Sequence, residues 1–181
     1  MRLMSTIWAD GDGLHDDLRT TTDVDEWLDA VGFDRAGTHA NADELARARE
    51  LRDAVRRLAG YVTRDTRAAA TAATDVAAAL DRVNAVAASL PGPRLELRDG
   101  RIGRGARRGS SPVATGLALV AEQAVELLGD EEAAMLRACY APGCVLYFIK
   151  AHPRREWCSV ACGNRVRAAR HYQAVRGRRG P

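Results

Sequence analysis

The chain has 181 residues, of which 46% are hydrophobic, 28% charged and 5% aromatic. This excludes a disordered or collagen-like polymer and allows one domain, or one domain plus a small module. The formal charge of +3 hides a division: residues 139–181 hold nine basic residues against the single acid Glu156, a formal +8, whereas residues 1–138 hold 18 basic and 23 acidic residues, a formal −5.

No apolar run approaches the roughly 18 residues that a membrane span requires, so no membrane partner is expected. The opening, MRLMSTIWADGDGLHDD, turns acidic within about ten residues and does not read as an export signal. A cytoplasmic location is the corresponding expectation.

After an irregular opening, Thr22 is a candidate N-cap for a helix over about Val24 to Val31, stopped by Gly32. Asn41 and Glu44 form a capping-box pattern. The helix that follows carries Leu45, Ala48, Leu51, Val55, Leu58 and Val62 on one stripe, with arginines on the other faces. A third helix is predicted from about Ala68 to Ser89. Its Val76, Leu80, Val83, Ala87 and Leu90 recur at heptad spacing, and Pro91-Gly92-Pro93 ends it.

Leu95 to Arg98 alternates apolar and polar, Asp99-Gly100 is a two-residue hairpin turn, and Arg101 to Arg104 is a weak return strand. Gly103 to Ser111 is rich in Gly and Arg and reads as a linker. Ser111-Pro112 then opens a helix with Val113, Leu117, Val120, Ala124 and Leu127 facing inward, up to Gly129. Asp130-Glu131-Glu132 starts a short helix that would deliver Cys139.

All four cysteines lie in the basic part. Four residues, including the turn-forming Pro142-Gly143, separate Cys139 from Cys144; thirteen more precede Cys158, and three separate it from Cys162. Two such pairs could form disulfides in a secreted chain, but without an export signal they point to a metal site. Four thiolates suit one tetrahedral Zn²⁺ and leave no open position for water, so the ion would be structural. His152 and His171 are rival ligands that a complete cysteine set does not need. The spacings match neither common ferredoxin pattern.

The stretch after Cys162 reads GNRVRAARHYQAVR. As a helix from about Asn164, it puts Val166, Ala169 and Gln173 on one side for packing against the knuckles. Arg167, Arg170, His171 and Ala174 lie on the other, where they could meet phosphates or base edges. Asn164 and Arg165 could read bases or brace the knuckle. Arg154 and Arg155 add positive charge ahead of Cys158. A solvated arginine face is the bland alternative.

The segment Trp157-Cys158-Ser159-Val160-Ala161-Cys162-Gly163-Asn164-Arg165-Val166-Arg167 resembles the signature of the CGNR zinc-finger family. Cys139-Tyr-Ala-Pro-Gly-Cys144 with Tyr147-Phe148 resembles that family's first knuckle and aromatic strand. The acidic opening with Trp8, the Trp27-Leu28 helix and the hairpin ahead of the last helices resemble the ABATE domain that often precedes this finger. The resemblance implies a stress-linked bacterial transcription regulator that binds DNA.

The expected fold is therefore mainly α with one small β-hairpin (α+β). A helical domain over 1–138 would do sensing or assembly, a four-cysteine treble-clef-like zinc finger would span 139–175, and a basic tail would span 176–181. The expected function is DNA binding, with Cys139, Cys144, Cys158 and Cys162 holding one structural Zn²⁺ and Asn164, Arg165, Arg167, Arg170, His171, Arg154 and Arg155 facing DNA. A zinc-dependent protein-docking or redox-switch module is the alternative. A small-molecule effector or protein partner of the N-terminal domain and a homodimer complete the candidate partners. No catalytic constellation stands out: Asp10-Gly-Asp12-Gly-Leu-His15 fails the EF-hand pattern, the Gly-Arg run lacks a phosphate-loop ending, and no nucleophile elbow is present. An enzyme would need a cavity lined by Trp8, His15 and Trp27.

Overall fold

The computed structural model of the chain describes residues 2–67, 75–90, 92–106 and 110–177. They form five helices and three separate two-stranded antiparallel sheets, an α+β chain dominated by helix. Periodicity gives no sign of two of those sheets, because their strands are only three residues long and alternation over three residues carries no usable signal; the strand at Tyr147-Phe148 was expected only from the resemblance to the CGNR finger. These two sheets are β1 (Ile7–Ala9) with β2 (Leu14–Asp16) in the opening, and β5 (Leu136–Ala138) with β6 (Tyr147–Ile149) around the first cysteine pair.

Helix α1 (Thr21–Ala30) begins three residues before the expected Val24. Thr20, not Thr22, is the cap: its hydroxyl accepts from the Asp23 amide at 3.3 Å and the Asp23 carboxylate accepts from the Thr20 amide at 2.6 Å. Helix α2 (Ala42–Thr63) opens on the Asn41–Glu44 capping box as expected. Ala48, Leu51, Val55 and Leu58 of its stripe are buried, while Val62 at the end is exposed.

Not all the arginines of α2 lie on outer faces, however. Arg52 and Arg56 are buried, because the N-terminal segment covers that side of the helix. Arg52 donates to Asp16 at 2.5 Å and to Asp53 at 2.9 Å, and Arg56 donates to the Met4 and Val145 carbonyls at 2.7 and 3.0 Å. Each guanidinium keeps acceptors in exchange for lost water, as buried charge requires.

Helix α3 (Val76–Ala87) is capped by Asp75; the expected beginning at Ala68 and the stop at Pro91 lie outside the described residues. Of the heptad set Val83 is buried and Val76 and Ala87 pack against the core, but Leu80 is exposed, and Ala79 and Val86 are the other buried residues of the helix. In the hairpin, β3 (Pro93–Arg98) pairs with β4 (Arg101–Ala106) through the predicted Asp99-Gly100 turn. Both turn residues have positive φ, +51° and +74°, as a type I′ turn demands. Leu95, Leu97 and Ile102 of this arm are about three-quarters exposed.

Helix α4 (Pro112–Gly129) starts on Ser111, whose hydroxyl accepts from the Ala114 amide and also bonds the buried Glu44 carboxylate, tying the beginnings of α2 and α4 together. Gly116 lets α4 press on the α1 side: a Cβ there would lie 2.9 Å from the Phe33 ring and 3.0 Å from Leu28.

The main core gathers Leu28, Leu51, Val55, Val83, Val113 and Leu117 from α1–α4, and extends to Leu136, Ala138 and Tyr147 of the β5–β6 hairpin. A second, smaller core consists of Cys139, Ala141, Cys144, Phe148, Cys162 and Val166, with Leu146, Trp157 and Cys158 at its rim.

Candidate metal centre and basic helix

The short helix expected after Asp130 is a 3-10 helix, Glu131–Met135, and strand β5 follows it and leads directly into Cys139. The Cys139 amide donates to the Leu146 carbonyl at 2.9 Å, and the Cys144 amide donates to Ala141 at 2.9 Å. Gly143 has φ +71°, a conformation L side chains rarely adopt, and so it closes the knuckle and turns both thiols to one side.

The second pair straddles the start of α5 (Val160–Gly177). This helix begins four residues before Asn164 because the Ser159 hydroxyl accepts from the Cys162 amide at 3.2 Å, an N-capping contact that places Cys162 in the first turn.

The four sulfurs lie within 4.8 Å of one another. Cys144 and Cys158 are 3.7 Å apart and Cys158 and Cys162 are 3.4 Å apart. A disulfide needs about 2.05 Å, and all four cysteines are free. A tetrahedron with Zn–S of about 2.3 Å has edges of about 3.8 Å, so the donor set fits zinc in kind, number and spacing. Neither His152 nor His171 joins the cluster; both are exposed, and His152 Nδ1 accepts from the Arg154 amide.

Packed this closely, the sulfurs perturb one another. The thiols of Cys144 and Cys158 hydrogen-bond Cys139 and hold its pKa far below the usual thiol value, and donation to Cys139 pushes Cys144 up to about 11. A divalent cation would favour the thiolate at all four positions.

Residues outside the finger also hold it. Arg67, just after α2, donates to the Cys139 and Cys144 carbonyls, both at 2.5 Å. It is gripped in turn by Asp65, at 2.9 and 2.7 Å, whose side chain is wholly buried. The Tyr147 hydroxyl donates to Asp65 at 3.0 Å. Burial and the Asp65 carboxylate raise the Tyr147 phenol well above its ordinary pKa, so it remains a donor. Arg56 holds Val145, next to Cys144. Sequence reasoning missed Arg56, Asp65 and Arg67, since nothing local marks an arginine that caps carbonyls about 75 residues away.

Of the basic residues singled out, Arg165 turns inward. Its guanidinium donates to the Cys162 sulfur at 2.9 Å, and this contact raises its pKa. The Asn164 side-chain oxygen Oδ1 accepts from the Arg167 guanidinium. Arg167, Arg170 and His171 are exposed along α5, and Arg154 and Arg155 are exposed before it. Arg155 also donates to the Trp157 and Cys158 carbonyls and lies 5.2 Å from the Phe148 ring centre.

Arg154, Arg155 and Arg167 line one open notch at the start of α5. On the packing side Val166 is buried and Ala169 half-buried, but Gln173 is exposed. The helix therefore leaves the body of the protein about two turns after Cys162. Arg178 and Arg179 of the expected tail lie outside the described residues.

A helical domain joined to a hairpin-and-helix module with four convergent cysteines is the arrangement of a zinc-finger protein. Comparison with family models agrees. Residues 1–131 match ABATE, described as "Putative stress-induced transcription regulator", and residues 135–174 match the CGNR zinc finger. The chain belongs to the ABATE family and carries a CGNR finger behind its ABATE domain. No curated protein matches the chain significantly.

Proposed function

We propose that the protein is a transcription regulator, and not an enzyme, that binds DNA through the finger, with one structural zinc ion held by Cys139, Cys144, Cys158 and Cys162. The observation that carries this reading is the division of α5. Its first two turns are locked to the sulfur cluster by Cys162 and Val166, while Arg167, Arg170, His171 and Arg176 project from a stretch in which only Ala169 and Val175 are even partly covered. A helix anchored at one end and cationic along its exposed length suits a nucleic-acid groove.

The notch of Arg154, Arg155 and Arg167 is the phosphate-binding part of this surface, and Arg165 is a brace for the knuckle. The family's regulatory description supports the same reading. In a bacterial cell the site of action would be the cytoplasm.

The test is fluorescence anisotropy of zinc-loaded protein with labelled duplex fragments of genomic DNA at several salt concentrations. Four phosphate contacts give a slope of about −3.6 in log K against log salt. Arg167→Ala with Arg170→Ala should reduce it in magnitude by about 1.8. Absence of binding, or an affinity indifferent to salt, would defeat the proposal.

A further inference from the structure

A cavity of about 400 Å³ lies in the N-terminal domain, and none of its lining residues belongs to the finger. Its lining is mostly apolar: Met4 from the opening segment, Phe33 after α1, Val55 of α2, and Val120 and Leu127 of α4. Trp8 and His15 do not line it; they stack on each other at 4.1 Å. Only Trp27 of the aromatic set expected around a cavity is present.

Three polar groups belong to lining residues. Arg2 bonds the Ala30 carbonyl at 2.7 Å through one of its nitrogens and is otherwise exposed. Gln123 adds a neutral amide. The Trp27 indole N–H is buried with no acceptor among the described residues. Buried donors nearly always have partners, so one without any marks a place where an acceptor is missing. The size and the ratio of apolar wall to polar groups are those of small-molecule sites. Among the described residues no acidic side chain lines the cavity, and Arg2 is the one lining residue with a formally charged side chain.

We propose that this cavity is a binding site for a small carboxylic acid with an apolar body, the body lying among Met4, Phe33, Val55 and Val120 and the carboxylate meeting Arg2 at the mouth. The apolar wall accounts for most of the affinity, and the guanidinium distinguishes an acid from an alcohol of the same length. The site stands whether or not the finger binds DNA, since none of its residues belongs to the finger.

The experiment is calorimetric titration of the zinc-loaded full chain with octanoate and, separately, with 1-octanol. Octanoate should bind saturably and more tightly than 1-octanol. Arg2→Gln should weaken octanoate about tenfold, the loss of one charge-assisted hydrogen bond, and leave 1-octanol unchanged. Val120→Phe, or Leu127→Trp should the first unfold, narrows the cavity and should abolish binding of both while the far-ultraviolet circular dichroism is retained. No saturable binding of either probe, equal affinity for the two, or binding that survives a folded cavity-filling variant would each overturn the proposal.

Discussion

Asp25 shows how a single carboxylate joins distant parts of the N-terminal domain. It is buried, accepts from the Ala40 amide and from His39, each at 2.8 Å, and pairs with Arg35 at 3.2 Å. Burial alone would raise its pKa, but the Ala40 amide, His39 and Arg35 together hold it below the ordinary aspartate value. A depressed folded-state pKa means that Asp25 contributes its stability above the unfolded pKa, about 3.9, and loses it as pH falls through the lower folded value.

Asp65 behaves alike: burial opposes ionisation and Arg67 with Tyr147 overcomes it. The expected outcome is an acid-side loss of stability, below about pH 4, that is smaller in Asp25→Asn than in the parent, read from denaturant midpoints across pH. Arg67→Met removes the charged partner of a fully buried carboxylate and should cost about 3–5 kcal/mol in urea unfolding of zinc-loaded protein. It should also weaken zinc binding about 10–100-fold against a chromophoric chelator, since the knuckle carbonyls lose their clamp.

At the scale of elements, the contact of α4 with the end of α1 depends on the missing side chain of Gly116. Alanine there would gain about 1 kcal/mol of helix propensity but collide with Phe33 and Leu28. Overpacking of this kind costs about 1–3 kcal/mol, so Gly116→Ala should lower the midpoint of thermal unfolding and not raise it. Helix α5 is the opposite case. Beyond Val166 it has little packing to support it, and isolated helices of this length are marginal in water. Its helicity should therefore depend on the cap at Ser159: Ser159→Ala should cost about 1 kcal/mol and reduce helix content, measured by circular dichroism of the zinc-loaded chain.

For the molecule as a whole, the decisive asymmetry is between its two cores. The main core draws on four helices and the β5–β6 hairpin. The second has the four cysteines themselves among its few members, so without metal it has too little apolar surface to persist. Stripping zinc with a chelator should release one ion per chain by native mass spectrometry and change the fluorescence of Trp157. The α1–α4 body should keep its helical signal, because its core contains none of the sulfurs. Arg56 and Arg67 make the two parts neighbours with shared hydrogen bonds, and so their unfolding should be coupled in the holo form and separate in the apo form.

Local chemistry was enough to read much of this protein. The Asn41–Glu44 capping box, the Asp99-Gly100 turn, the Ser111-Pro112 helix start and the spacing of four cysteines all act over a few residues, so they are legible in sequence order, and the metal cluster follows from them. The β1–β2 pair, the exposed Leu80 and the early start of α5 were not, since each depends on which neighbour arrives. Tertiary structure alone decided that Arg52 and Arg56 are interior residues, that Arg165 faces sulfur and not solvent, and that Asp65 and Arg67 reach across to the knuckle. A guanidinium can be buried only where carboxylates and carbonyls from other segments replace its water, and that replacement exists only once the chain has folded.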